Sequence, residues 1–384
     1  MRLWADIKVC SRPLAGFLSI GFAWAAFAAQ VPVLKAQIGA SDGFYGTLIL
    51  FASCGALMAM WLAPLAQRLA GHSAMLLGAA LMVSGFLTAG LATLPLVFAL
   101  AMFVAAAGSG ILDVLINAEV SAIESREGRS LMNLNHALYS FAYGAAALLV
   151  APAREADWTP LAIFGVLVLA IALLSILMVL GRPALGGEEP DETMSFPHRI
   201  VWLGGAVVLV AFLAEAASEG WSALHLERTL GGSPGEGALG PAILGLSMGI
   251  GRFGGHALAS RFSDMPMMGG ALILGAFGLF LAGAAATVPI AYLGFALGGL
   301  GVSVVGPLAL AIVGRSVPPA ARLTAISRAA VLGYGAFFMG PPLMGFVAEA
   351  FGLRASFYVI GFLLIAVVFA VLPLFSRQLA RQGA

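Results

Sequence analysis

The chain has 384 residues, of which 61% are hydrophobic and 10% charged, with a net charge of +1. A water-exposed globular domain carries about 25% charged residues, so this composition excludes an ordinary soluble fold. The near-neutral balance gives no reason to expect nucleic acid as a partner, and Cys10 and Cys54 are too few for a disulfide framework.

Charge-free runs set the elements. Pro13 to Leu34, Gly43 to Gln67, Ser130 to Ala153, Trp158 to Gly181 and Ala355 to Ser376 each reach the roughly 20 residues needed to cross a bilayer. Two longer runs, Leu69 to Leu112 and Met265 to Gly314, must each fold back once, at Thr93-Leu94-Pro95 and Thr287-Val288-Pro289. The predicted spans are 14 to 34, 43 to 66, 74 to 93, 95 to 122, 131 to 153, 159 to 181, 200 to 226, 239 to 262, 267 to 287, 289 to 314, 322 to 349 and 355 to 376. Continuous apolar runs point to helices rather than barrel strands, which alternate apolar and polar positions. Arg2, Lys8 and Arg12, then an apolar run ending in Ala26-Phe27-Ala28, also fit a cleaved secretory signal; cleavage would remove the first helix.

The only long polar connection, containing Gly-Gly-Glu-Glu-Pro-Asp-Glu, falls between the sixth and seventh spans. It divides the chain into an N-terminal six-helix bundle (1–181), a cytoplasmic linker (182–198) and a C-terminal six-helix bundle (199–384). Local signals recur in the same order about 190 positions apart, as expected of a duplicated unit. Thr93-Leu94-Pro95 recurs as Thr287-Val288-Pro289, Leu65-Ala66-Gln67-Arg68 as Leu258-Ala259-Ser260-Arg261, and Tyr143-Gly144 as Tyr334-Gly335. Basic residues gather on the side of the termini and even-numbered loops, from Arg2, Lys8 and Arg12 through Arg126 and Arg129 to Arg377 and Arg381. Only Lys35, Arg154, Arg228 and Arg354 fall on the other side, which places both termini in the cytoplasm.

Several residues resemble those of a known family. Leu65-Ala66-Gln67-Arg68-Leu69 occupies the loop in which the major facilitator superfamily carries its Gly-x-x-x-Asp-Arg-x-Gly signature, with Ala63 and Gln67 replacing the usual Gly and Asp. Asp113-Val114 with Asn117-Ala118, Met132-Asn133 with His136 and Ser140, Ala214-Glu215 with Trp221-Ser222, and Gly251-Arg252 resemble a bacterial inner-membrane branch related to the fucose permeases, the YbjJ-like proteins. The resemblance implies an all-α membrane protein of twelve transmembrane helices in two rocking bundles, and solute transport across the inner membrane.

Ionisable side chains at bilayer depth cost about 2.5 to 3.5 kcal/mol each on insertion scales, so they must pair, meet water or act. Asp113 and Asn117 lie one turn apart on the fourth span and suit a substrate or proton role. Glu119, on a different face and nearer the cytoplasmic end, suits a gate salt bridge to Arg328. Asn133, His136 and Ser140 form a stripe on the fifth span. Glu215, Ser218, Glu219 and Ser222 form another on the seventh. Two carboxylates one turn apart resist double ionisation, the physical basis of a proton-coupling site; the plainer alternative is a buried Glu215–Arg252 ion pair that locks helices. His256 lies one turn beyond Arg252, and Trp221 offers a stacking face beside Glu219. No P-loop, metal-ligand spacing or cofactor motif occurs: Gly249-Ile250-Gly251-Arg252-Phe253-Gly254 lacks a preceding strand and reads as helix packing.

The expected protein is a monomeric, proton-coupled symporter of a small polar, sugar-like solute. Asn117, Asn133, His136, Trp221 and Arg252 would bind the substrate; Asp113, Glu215 and Glu219 would couple protons; Glu119 and Arg328 would gate. Proton-antiport efflux of amphipathic or cationic compounds is the alternative within transport. A non-transporting membrane sensor is the alternative outside it.

Overall fold

The computed structural model describes residues 2–129, 131–181, 198–258, 263–318 and 321–381. Among these residues every regular element is helical, as a lipid environment requires, because only internal hydrogen bonding satisfies the backbone there. The helices are α1 (Arg2–Val9), α2 (Ser11–Ala28), α3 (Val31–Gln37), α4 (Asp42–Ala70), α5 (Ala74–Leu91), α6 (Pro95–Glu127), α7 (Met132–Glu155), α8 (Pro160–Leu180), α9 (His198–Leu224), α10 (Pro234–Leu258), α11 (Asp264–Ala284), α12 (Val288–Arg315), α13 (Arg322–Phe351), α14 (Leu353–Ala366) and α15 (Leu372–Ala380). The proline turn signals start helices as predicted: α6 begins at Pro95 and α12 carries Pro289 in its first turn. Thr159 caps α8 by accepting from the Ala162 amide at 3.3 Å.

The first span differs from its prediction as a continuous helix over 14 to 34. It breaks after Ala28, and α2 and α3 meet at 59°. Pro32, in the first turn of α3, has no N–H to give the Ala28 carbonyl, and the Gln30 side chain turns back to donate from Nε2 to Ala26 O at 2.9 Å. Elsewhere the spans are unbroken or nearly so. Nine helical stretches among the described residues are long and apolar enough to cross a membrane, ten with the bent pair. Asp42–Leu91 holds both α4 and α5, and α10 runs against α7 and α12 as a further rod, an arrangement consistent with twelve crossings.

Two helical bundles result, built on one contact plan. In the first, α6 packs on α4 and α5, and α2 packs on α7 and α8. In the second, α12 packs on α10 and α11, and α9 on α13 and α14. Glycine permits the same close approach in both: a Cβ on Gly85 of α5 would strike the α6 backbone at Ala101 and Ala105, and one on Gly294 of α12 would strike the α11 backbone at Ala282. The bundles meet along α4–α13 and α7–α10, related positions in the two halves. The predicted linker lies outside the described residues except for His198, and the His256 side chain lies outside them as well. Below, the side bearing α1, α15 and the α6–α7 turn is the terminus face, and the opposite side is the far face.

Candidate functional site

A group of polar side chains lies where the bundles meet, at mid-depth. Arg252 of α10 is its centre: one guanidinium nitrogen donates to Glu215 Oε1 on α9 at 3.1 Å, and another donates to Ser140 Oγ on α7. The Glu215–Arg252 ion pair, the plainer alternative read from the sequence, forms within the second bundle, and Ser140 extends it into the first. Tyr139, on the same turn of α7, lies within coulombic reach of Glu219, Glu215, Arg252 and Asp113. Asp113 and Asn117 are joined on α6, with Asn117 Nδ2 donating to Asp113 Oδ1 at 3.0 Å. Across the gap Tyr334 of α13 lies within reach of Asp113 and rests against Phe212 and Phe337. The His136 ring meets Phe17 edge-on at 5.0 Å and faces the Arg252 charge.

These groups are partly exposed rather than sealed. Asp113, Asn117, His136, Glu215, Glu219 and Arg252 are all half-buried, Asn133 is exposed one turn toward the terminus face, and Tyr334 retains 43% of its surface. Polar atoms at bilayer depth that keep accessible surface between two bundles line a wet crevice.

Three predicted residues stand elsewhere. Trp221 is buried to 2% exposure, with its ring edge-on to Tyr45 of α4 at 5.8 Å, so it plugs the seam between bundles and does not face the crevice. Glu119 corrects the expected Glu119–Arg328 pairing: it forms its ion pair with Arg12 of α2, inside one bundle. Arg12, read from sequence as a cytoplasmic-side charge, is drawn in because it also donates to Met178 O at 2.8 Å and His72 O at 3.0 Å. Arg328 is exposed near the start of α13. Within the α9 stripe, Ser218 donates to Ala214 O at 2.8 Å and presents no free donor to a solute.

The far face carries a set of interactions that the sequence did not announce. Asp42, at the start of α4, receives Lys35 Nζ at 2.9 Å from its own bundle and two Arg228 nitrogens at 2.7 and 2.5 Å from the other. Arg154 of α7 donates to Glu227 at 2.7 Å. Glu155 accepts from Ser233 Oγ at 2.7 Å and the Gly235 amide at 2.9 Å, and Glu349 of α13 accepts from Ser41 Oγ at 2.8 Å and the Gly43 amide at 2.6 Å. Glu227 and Arg228 sit on a π-turn, His225–Thr229, that continues α9 and turns both toward the first bundle. The available signal was compositional: three of the rare basic residues assigned to that side, Lys35, Arg154 and Arg228, all take part. Close backbone approach completes the seal, since Gly46 of α4 lies directly on Pro341 of α13. Most of the polar contacts described between the bundles thus lie at the far face.

Two bundles of related plan, joined at one face and parted by a polar crevice, define a two-bundle membrane transporter. Comparison with known proteins agrees. Residues 204–383 match the model of the Major Facilitator Superfamily. An uncharacterised MFS-type transporter of Yersinia pestis is 30% identical over 367 residues, covering 93% of each chain. An uncharacterised transporter of Sinorhizobium fredii is 29% identical over 377 residues, covering 95% of this chain and 97% of the relative. Among solved structures, a bacterial homologue of the human lysosomal transporter Spinster, inward-facing and occupied, superposes with a TM-score of 0.77 at 17% identity over 98% of both chains. The chain belongs to the major facilitator superfamily.

Proposed function

We propose that the protein is a secondary active transporter that carries a small polar organic solute across the bacterial inner membrane, by alternating access coupled to protons. The reading rests on one observation above all: Arg252 ties Glu215 in one bundle to Ser140 in the other at the apex of the crevice. A proton arriving at Glu215 or Glu219 weakens the hold on Arg252, which is then free to bind solute or release Ser140, so protonation and bundle rocking share one residue. Asn117 and His136 lie on the opposite wall to complete a solute site, Asn133 lies on the entry path, and Asp113 is a third proton acceptor. Arg328 is the gate candidate on the terminus face. The excess of basic residues on that face supports a cytoplasmic side there, and the reading takes the halves as divided at 182–198 and the monomer as the working unit.

Purified protein in vesicles with an imposed proton gradient, acid outside, tests the reading. Glu215→Gln and Glu219→Gln should abolish gradient-driven accumulation while preserving solute exchange; unchanged accumulation removes the coupling role, and absence of any flux leaves the sensor reading. Symport matches the sequence resemblance. Efflux by antiport with a cationic compound is the second reading, and it gains from Glu219, which has no hydrogen-bond or ion-pair partner among the described residues.

A further inference from the structure

The crevice wall is unbalanced in charge. Three carboxylates, Asp113, Glu215 and Glu219, lie near the Tyr139 hydroxyl, with one guanidinium, that of Arg252. Arg252 is engaged by Glu215 and Ser140, and Asp113 is engaged by Asn117. Glu219 is left over. Beside it stands a second unanswered group: the Tyr143 hydroxyl is buried, has no hydrogen-bond partner, and lies within coulombic reach of Glu219. The Tyr139 and Tyr143 rings sit 6.3 Å apart at 44°; Tyr139 is half-buried, and Tyr143 is buried with its ring over Gly245 of α10.

Resting on the transport reading above, we propose that the solute is positively charged, a hydroxylated organic monocation whose ammonium group docks on the Glu219 carboxylate beside Tyr139 and Tyr143. An ammonium gives Glu219 a partner at bilayer depth, finds the favourable face of Tyr139, and can accept a hydrogen bond from Tyr143 only through its own hydroxyls, which is why a hydroxylated cation fits better than a bare alkylamine. An anion would bring further negative charge to a wall on which carboxylates already outnumber guanidinium groups. A neutral polyol would leave Glu219 without an ion-pair partner of its own unless a proton occupied it, and that is the competing outcome.

Matched skeletons differing only in charge decide the matter. The full chain, purified in detergent, is titrated with glucosamine, galactosamine and ethanolamine, with glucose, galactose and ethylene glycol, and with gluconate, galactonate and glycolate, and binding is read by calorimetry and by the rise in Tm. The amines should bind, and bind more tightly than their neutral and anionic counterparts. Glu219→Gln should weaken amine binding at least about tenfold, the scale of a lost charge-assisted bond, whereas Glu219→Asp should retain part of it. An unliganded melting transition at the wild-type position shows that the variants are folded. Failure of every amine to bind, tighter binding of the neutral or anionic set, or an amine affinity unaltered by Glu219→Gln overturns the inference. Amine binding without flux in vesicles refutes transport and leaves the charge assignment standing; flux of glucose without amine binding does the reverse.

Discussion

Replacing Asp42 by Asn should loosen the far face. The carboxylate is 6% exposed and holds three nitrogens, one from Lys35 and two from Arg228. Removing one partner of a fully buried pair costs about 3 to 5 kcal/mol, but the Arg228 side chain keeps 46% of its surface, so solvent screens much of its share. Asn also retains one acceptor oxygen. About 2 kcal/mol remains, a shift of roughly 30-fold in the equilibrium between closed and open far faces. A closed state favoured about 99 to 1 would fall to about 3 to 1, a population that distance measurements detect readily. Thr93 and Thr287 are exposed at related positions on the far-face loops of the two halves and suit spin labels. With Cys10 and Cys54 replaced by Ser and labels at Thr93→Cys and Thr287→Cys, Asp42→Asn should add a longer-distance component. An unchanged distance distribution refutes the idea that this ion pair holds the bundles closed.

Other outcomes follow from the same contacts. Glu119→Ala leaves Arg12 buried with its strongest partner gone and should destabilise the first bundle by about 3 to 5 kcal/mol, seen as a marked fall in Tm; Arg12→Met with Glu119→Leu should recover most of it. Ser140→Ala removes only the inter-bundle arm of Arg252, so it should alter transport rate with little change in Tm, measured on the same preparation. Gly294→Val places side-chain atoms on the α11 backbone at Ala282 and should abolish folded yield in size-exclusion chromatography, whereas Gly220→Ala, with open space at its Cβ, should not.

Composition and periodicity by themselves determined a great deal here. Long uncharged runs can only be buried helices in lipid, so the all-helical membrane fold and the folding-back at Pro95 and Pro289 were legible before any coordinates, and recurrence about 190 positions apart supplied the two-bundle plan. The i, i+4 spacing of Asp113 with Asn117, and of Glu215 with Glu219, put those pairs on common faces because a helix fixes their angle. Tertiary structure decided the rest, since spacing along one helix does not say which neighbour a face meets. Glu119 found Arg12 rather than Arg328, Trp221 turned into the seam, Ser140 became a contact across the halves, and a π-turn carried Glu227 and Arg228 onto the far-face seal. Pairing between residues as distant in sequence as Asp42 and Arg228 depends on how the bundles dock, and a pattern read along single helices holds no information on that.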